Sequence, residues 1–165
     1  MSVLLISGSP SAASRTVLLL DHLAGRLGRP ATVLRLRDLP AEALLRGDTA
    51  HPELARATAQ VAAADTIVVA TPIYKASYTG LLKAFLDVLP QGAFAGKTVV
   101  PIATGGTPAH LLAVDYALRP VLSVLGARHV TRGLFVLDTQ IDPLAGELLP
   151  RIDALLEEVP LGAAA

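Results

Sequence analysis

The chain has 165 residues, enough for one domain with one core and short for two. Apolar residues make up 52% of it, with no Trp, three Phe and three Tyr, and 14 Lys plus Arg balance 14 Asp plus Glu. That composition excludes a disordered chain and counts against a nucleic-acid binder, and the absence of Cys excludes disulfides and thiolate chemistry.

Taken in chain order, the first apolar run is "VLLIS" (3–7), which reads as a strand. A helix follows, with Ser14 as N-cap and Val17, Leu20, Ala24 and Leu27 on one face. "TVLRL" (32–36) is the second strand, and 38–50, with Pro40 and Gly47, reads as a longer connection. Pro52 opens an Ala-rich helix over 52–64. "TIVVAT" (66–71) is the third strand, and Leu81, Leu82, Phe85 and Leu89 mark the next helix. "TVVPIAT" (98–104) and "LFVLD" (134–138) complete the strands, with further helices expected over 109–125 and 144–158. A Gly-Ala tail follows Pro160. Strands apolar on both faces and alternating with helices imply a parallel sheet covered on both sides. The expected fold is therefore α/β and flavodoxin-like: one domain over 1–165, five parallel strands in the order 2-1-3-4-5, helices on both faces. No apolar run approaches the roughly 20 residues of a membrane span. Residues 2–6 have no basic segment before them and no cleavage site after them, so a cytoplasmic location is expected by elimination.

In such a sheet, ligands bind beyond the carboxyl ends of the strands, near the switch in strand order. The first such loop is "SGSPSAASRT" (7–16). It lacks the Gly-Lys-Ser/Thr of a Walker loop and the repeated glycines of a dinucleotide loop. Ser9, Ser14 and Thr16 offer hydroxyls, Arg15 a forked charge, and the helix start free N–H groups. Donors wrapped around one point suit a terminal monophosphate; the other reading is an ordinary capped turn. The second loop, "TPIYKASYTG" (71–80), holds two of the three tyrosines, Tyr74 and Tyr78. Either a flat ring lies against them with Lys75 balancing its charge, or they pack locally and Lys75 is solvated. In the third, "ATGGTPAH" (103–110), Gly105 and Gly106 allow close backbone approach or a sharp turn, and Thr104 and Thr107 supply donors. His110 has no partner at metal-ligand spacing and reads more simply as a helix-start residue than as a base. Pro120 inside the apolar pattern "AHLLAVDYALRPVLSVLG" removes one hydrogen bond and crowds the carbonyl of Tyr116, so a kink or π-bulge is expected there.

Together these loops resemble the NADPH-dependent FMN reductase family. The blocks "TIVVATPIYKASYTGLLKAFLDVLPQG" (66–92) and "VVPIATGGTPAHLLAVDYALRPVLSVLG" (99–126) are similar to the reductases that serve alkanesulfonate monooxygenases, and "GSPSAASRT" matches the family's phosphate loop. The likeness covers roughly residues 1–138; the C-terminal part is shorter than in close relatives and does not match them clearly.

The resemblance implies that Ser9, Ser14, Arg15 and Thr16 hold the FMN phosphate. Pro72, Ile73, Tyr74 and Lys75 would border the flavin ring on one side, and Thr104, Gly105, Gly106 and Thr107, with His110 closing the loop, on another. Relatives often carry arginine directly after the proline of the first loop, where this chain has Ser11. Lys83 and Asp87 match positions that are structural or interfacial, or form a simple helix pair. The implied activity is hydride transfer from NADPH to FMN, with no side-chain acid or base and no metal. FMN would be a dissociable substrate, and FMNH2 would pass to a partner monooxygenase in sulfonate assimilation. The resemblance also implies a homotetramer with the Tyr116 helix at its interface. The alternatives are a quinone or azo reductase that retains FMN, and a flavodoxin-type electron carrier. Zero net charge and the lack of Trp count against the carrier.

Overall fold

The computed structural model describes residues 1–141 and 146–159. Its framework is a parallel sheet whose strands are buried because both faces are covered. The first strand, β1 (Val3–Ser7), is buried along its whole length, and Leu5 and Ile6 have no exposed surface. Burial of such a side chain contributes about 1.5–3 kcal/mol. It pairs in parallel with β2 (Ala31–Arg35) on one side and with β3 (Thr66–Tyr74) on the other. β3 in turn pairs with β5 (Thr98–Gly105), after a two-residue strand, β4 (Ser77–Tyr78). The far edge of β5 is shared by β6 (His129–Val130) near its start and β7 (Leu134–Leu137) near its end. The order is the expected one, with the fifth position divided between two short strands. Gly133, at φ +82°, turns the chain between them, with Pro101 and Val114 packed too closely for a side chain.

Alternate residues of each strand feed two cores, because side chains alternate across a pleated sheet. Leu5, Val68 and Ile102 pack with Leu19, Leu20 and Leu23 of α1 (Arg15–Arg26) and Ile152 and Leu155 of α6 (Leu148–Glu157). Leu4, Ile6, Ile67 and Val99 face the opposite layer. That layer contains α2 (Ala41–Arg46), α3 (Pro52–Ala63), α4 (Gly80–Val88) and α5 (Arg119–Val124). Ser14 caps α1 by accepting from the Val17 amide at 3.2 Å, and Pro52 occupies the first turn of α3.

Three expectations are corrected by the structure. The connection 38–50 contains α2, ended by Gly47 in the left-handed conformation at φ 65°. The loop 71–80 is a hairpin: β3 runs on through Pro72 and folds back through Lys75 and Ala76, both at positive φ, into β4. Proline is tolerated there because β1 ends opposite Ala70, so beyond it β3 needs no donor toward that neighbour. The helix expected over 109–125 is broken into a 3-10 turn (Pro108–His110), a π-helix (Val114–Leu118) and α5. The π-helix spans Tyr116, where the missing Pro120 amide demands an irregularity. Arg119 holds this region in place: its guanidinium donates to Asp115 at 2.9 Å and to the carbonyls of Thr131 and Arg132 at 2.9 and 3.0 Å. The expected start of the last helix at 144 and the tail after Pro160 lie outside the described residues. No helix among the described residues is long and apolar enough to cross a membrane.

Candidate functional site

The carboxyl ends of β1, β3, β5 and β7 lie side by side, so the loops that leave them share one edge. The first loop is fixed there by its only glycine. A Cβ on Gly8 would stand 2.9 Å from Leu82 Cβ, and the Gly8 amide donates to the Ala70 carbonyl at 2.8 Å. The Thr79 hydroxyl donates to the Gly8 carbonyl at 2.6 Å. Glycine is therefore required for close packing of the loop on the start of α4. Gly8→Ala is expected to destabilise the fold by about 1–3 kcal/mol through overpacking against a Cβ that, being fixed to the α4 backbone, cannot swing away. Thermal or urea unfolding measures it, and a loss below about 0.5 kcal/mol, the range of neutral surface changes, would contradict that role.

The hydroxyls of this loop are oriented by what they accept. Ser9 Oγ accepts from the Ser11 amide at 3.3 Å, and Ser14 Oγ accepts from Val17. Each retains its proton as a donor, since a hydroxyl has one donor and two acceptor sites. Thr16 and Thr104 share a buried hydroxyl–hydroxyl bond of 2.8 Å, so one proton of that pair is also left to donate. Helix geometry leaves the amides of Arg15 and Thr16 without intrahelical acceptors, and the first turn of α1 contains no acidic residue. Several unpaired hydroxyl and amide donors gathered at one helix start make an anion site.

These groups open into one cavity of about 200 Å³, lined by Ser9, Ser11, Ala13, Ser14, Arg15, Thr16, Pro72, Tyr74, Thr104 and Asp138. Seven expected site residues thus meet: Ser9, Ser14, Arg15, Thr16, Pro72, Tyr74 and Thr104. Tyr74 is half exposed, leaving its ring available to a flat ligand. Other expected residues stand around this cavity. The Ile73 side chain is buried with Ala103, Val114 and Phe135, so only its backbone faces the loops. Lys75 is exposed at the hairpin tip. Gly105 and Gly106 end β5 and begin the next turn, and Thr107 caps the 3-10 turn by accepting from Ala109 at 3.3 Å. His110 is packed against Gly105, with Nδ1 buried and no hydrogen-bond partner for it among the described residues. Burial raises the Tyr78 phenol above its ordinary pKa, which keeps it a neutral hydroxyl.

Sequence reasoning missed Asp138, which ends the β7 run and reaches back over the first loop. Its carboxylate lies 3.9 Å from the Arg15 guanidinium. The same carboxyl-edge rule that selects the other loops would have found it. Thr71 and Thr79 were also missed. Thr71 Oγ1 accepts from the Thr79 amide at 3.2 Å and so ties the two ends of the hairpin together.

A larger cleft, about 320 Å³, lies between β7 and α6 and contains Arg132 and Arg151. Both cations are already engaged there, Arg132 with Glu158 and Arg151 with the Phe135 carbonyl. The carboxyl-edge cavity is the better ligand site because its hydroxyl protons and the first amides of α1 are free to donate, and its Arg15 is held by Asp138 only at 3.9 Å.

Comparison with known proteins bears directly on this geometry. Residues 1–142 match the family model for NADPH-dependent FMN reductases. An FMN reductase (NADPH) of Pseudomonas putida is 45% identical over 161 residues, 96% of this chain and 82% of that protein. The corresponding enzyme of Escherichia coli is 43% identical over 166 residues, covering 95% of this chain and 87% of its own. Among solved structures, an NADH:FMN oxidoreductase in its apo form superposes with a TM-score of 0.89 at 44% identity, covering 99% of this chain and 90% of that one. The matched span includes all four loops of the carboxyl edge, and on this ground the chain belongs to the NADPH-dependent FMN reductase family.

Proposed function

We propose that this chain transfers hydride from NADPH to FMN at the carboxyl-edge cavity and releases the reduced flavin to a partner monooxygenase. The observation that carries the reading is the convergence of free donors and flat surfaces in one place. The Ser9 and Ser14 hydroxyls, the α1 amides and Arg15 suit a monophosphate, and Pro72 and Tyr74 stand beside them to border a ring. The residues present therefore fit FMN. Bound FMN supplies the hydride-accepting ring, and the chain's own task is to hold it in position and to donate hydrogen bonds to its phosphate end. Lys75, on the hairpin tip, is the cation placed to stabilise charge on a reduced ring; Gly105, Gly106, Thr107 and His110 border it on the other side.

Weak retention of the flavin follows from the same residues. Ser11, where the family resemblance implies an arginine, is neutral, and the Arg15 side chain is exposed. Charged groups in water attract weakly, so one exposed cation gives a phosphate modest hold. The test is NADPH oxidation by protein desalted to remove flavin. Turnover that requires added FMN supports a dissociable substrate. A yellow protein that keeps its flavin through desalting and turns over quinone instead would assign the prosthetic reading. NADH run in parallel measures the nucleotide preference.

A homotetramer assembled through the π-helix region is part of the proposal. Leu112, Tyr116, Pro120 and Val124 recur every four residues and are exposed, Tyr116 at 78%. An apolar row of this kind is an interaction surface rather than a solvated one. Tyr116→Asp is expected to shift the protein to smaller species in light scattering, whereas an unchanged oligomer would contradict this interface.

A further inference from the structure

We infer that Asp138 sets the affinity of the site for FMN by opposing the flavin's phosphate and competing for Arg15. The inference rests on the placement of the phosphate proposed above. Asp138 comes from the fourth strand end at the cavity, and its carboxylate lies both 3.9 Å from the Arg15 guanidinium and on the cavity wall. The same oxygen lies 3.8 Å from where a Gly106 side chain would begin, so it spans the gap between the first and third loops. Among the described residues lining the cavity this carboxylate is the one anion, and an incoming dianion must approach it against repulsion.

The ion pair does not exist for stability. Arg15 and Asp138 side chains are 57% and 33% exposed at a separation too long for a good hydrogen bond. For the folding equilibrium such a pair is worth at most about a fivefold effect. Its effect on a phosphate is larger, because the anion meets a carboxylate that both repels it and offsets the charge of the one guanidinium beside it. With Ser11 neutral, Arg15 is the only cation lining the cavity among the described residues, and Asp138 offsets it. An enzyme that must give up its reduced product gains from that balance, since the same phosphate is present before and after reduction.

The test compares FMN with riboflavin, which has the ring but no phosphate, by fluorescence titration of wild type, Asp138→Asn, Asp138→Ala and Arg15→Ala. Both Asp138 variants are expected to bind FMN about tenfold more tightly, the size of a like-charge contact at a partly solvated site, and riboflavin as wild type does. Thermal melts check that each variant is folded, and the two replacements guard against a defect peculiar to one. If Asp138 instead oriented Arg15, FMN binding alone would weaken in both variants. If it accepted from the flavin side-chain hydroxyls, both flavins would bind less tightly. Either result, or unchanged FMN affinity, overturns the inference. Arg15→Ala separates the underlying placement from it. If that variant keeps the wild-type preference for FMN over riboflavin, the phosphate does not lie here and both ideas fall. If the preference is lost while the Asp138 variants bind FMN no more tightly, only the inference about Asp138 fails.

Discussion

Arg15→Ala is expected to raise the Kd for FMN by about 10- to 30-fold and to leave the Kd for riboflavin within about twofold of wild type. A hydrogen bond to a charged group is worth about 1.5–3 kcal/mol when desolvated, and a tenfold change in affinity is about 1.4 kcal/mol. The Arg15 side chain is 57% exposed, so the lower half of that range applies. The loss falls on one flavin because only FMN presents a phosphate to the guanidinium. Turnover at saturating FMN is expected to stay near wild type, since Arg15 lies at the start of α1 while Pro72 and Tyr74, the residues proposed to border the ring, come from the next strand end. Equal weakening of both flavins would mean that Arg15 supports the cavity as a whole rather than the phosphate.

The second large effect concerns stability. Thr79→Val is expected to cost about 2–4 kcal/mol, although the two side chains have nearly the same shape. Thr79 is 2% exposed; its hydroxyl donates to the Gly8 carbonyl at 2.6 Å and accepts from the Leu82 amide at 3.1 Å as the N-cap of α4. Valine removes the cap, worth about 1 kcal/mol, and leaves a buried carbonyl without its donor, worth about 1–3 kcal/mol more. For a protein of this size each kcal/mol lowers Tm by about 2–4 °C, so a fall of about 4–16 °C is expected. Because Gly8 positions the first loop, the KM for FMN rises as well, while Thr79→Ser, which keeps the hydroxyl, restores most of both properties. A valine variant within about 0.5 kcal/mol of wild type would show that Thr79 does not hold the loop.

These two residues illustrate what can and cannot be read from one sequence. Arg15 was legible because it follows a capping serine in the loop that leaves an apolar strand, and that arrangement points to a helix N-terminus. Tyr116 was legible because Pro120 lacks an amide four residues later, and the π-helix lies where that amide is missing. Thr79 was not legible, since its partner Gly8 is 71 residues away and only the fold brings them together. The lone glycine of the first loop carries no mark that its role is packing against Leu82.

The hairpin at 73–78 was hidden for a different reason. Its turn uses Lys75 and Ala76 at φ 52° and 63°, where glycine or asparagine usually signals such a bend. Holding two ordinary residues there costs about 1 kcal/mol or more each, and the flanking pairs Ile73–Tyr78 and Tyr74–Ser77 over-determine it. α2 escaped notice because six residues are too few for a helical period to show. Asp138 was placed inside a strand, although the last strand ends at Leu137 and the residue belongs to the site. Local chemistry was therefore readable at the first loop, whereas contacts between loops required the fold.

The location of the flavin is tested most directly by the crystal structure of this protein with FMN. The account predicts a phosphorus peak against Ser9, Ser14 and the start of α1, within reach of Arg15, and the ring beside Pro72 and Tyr74. A phosphate found instead in the cleft of Arg132 and Arg151, or a ring turned toward α1 with its phosphate at the hairpin, would contradict it.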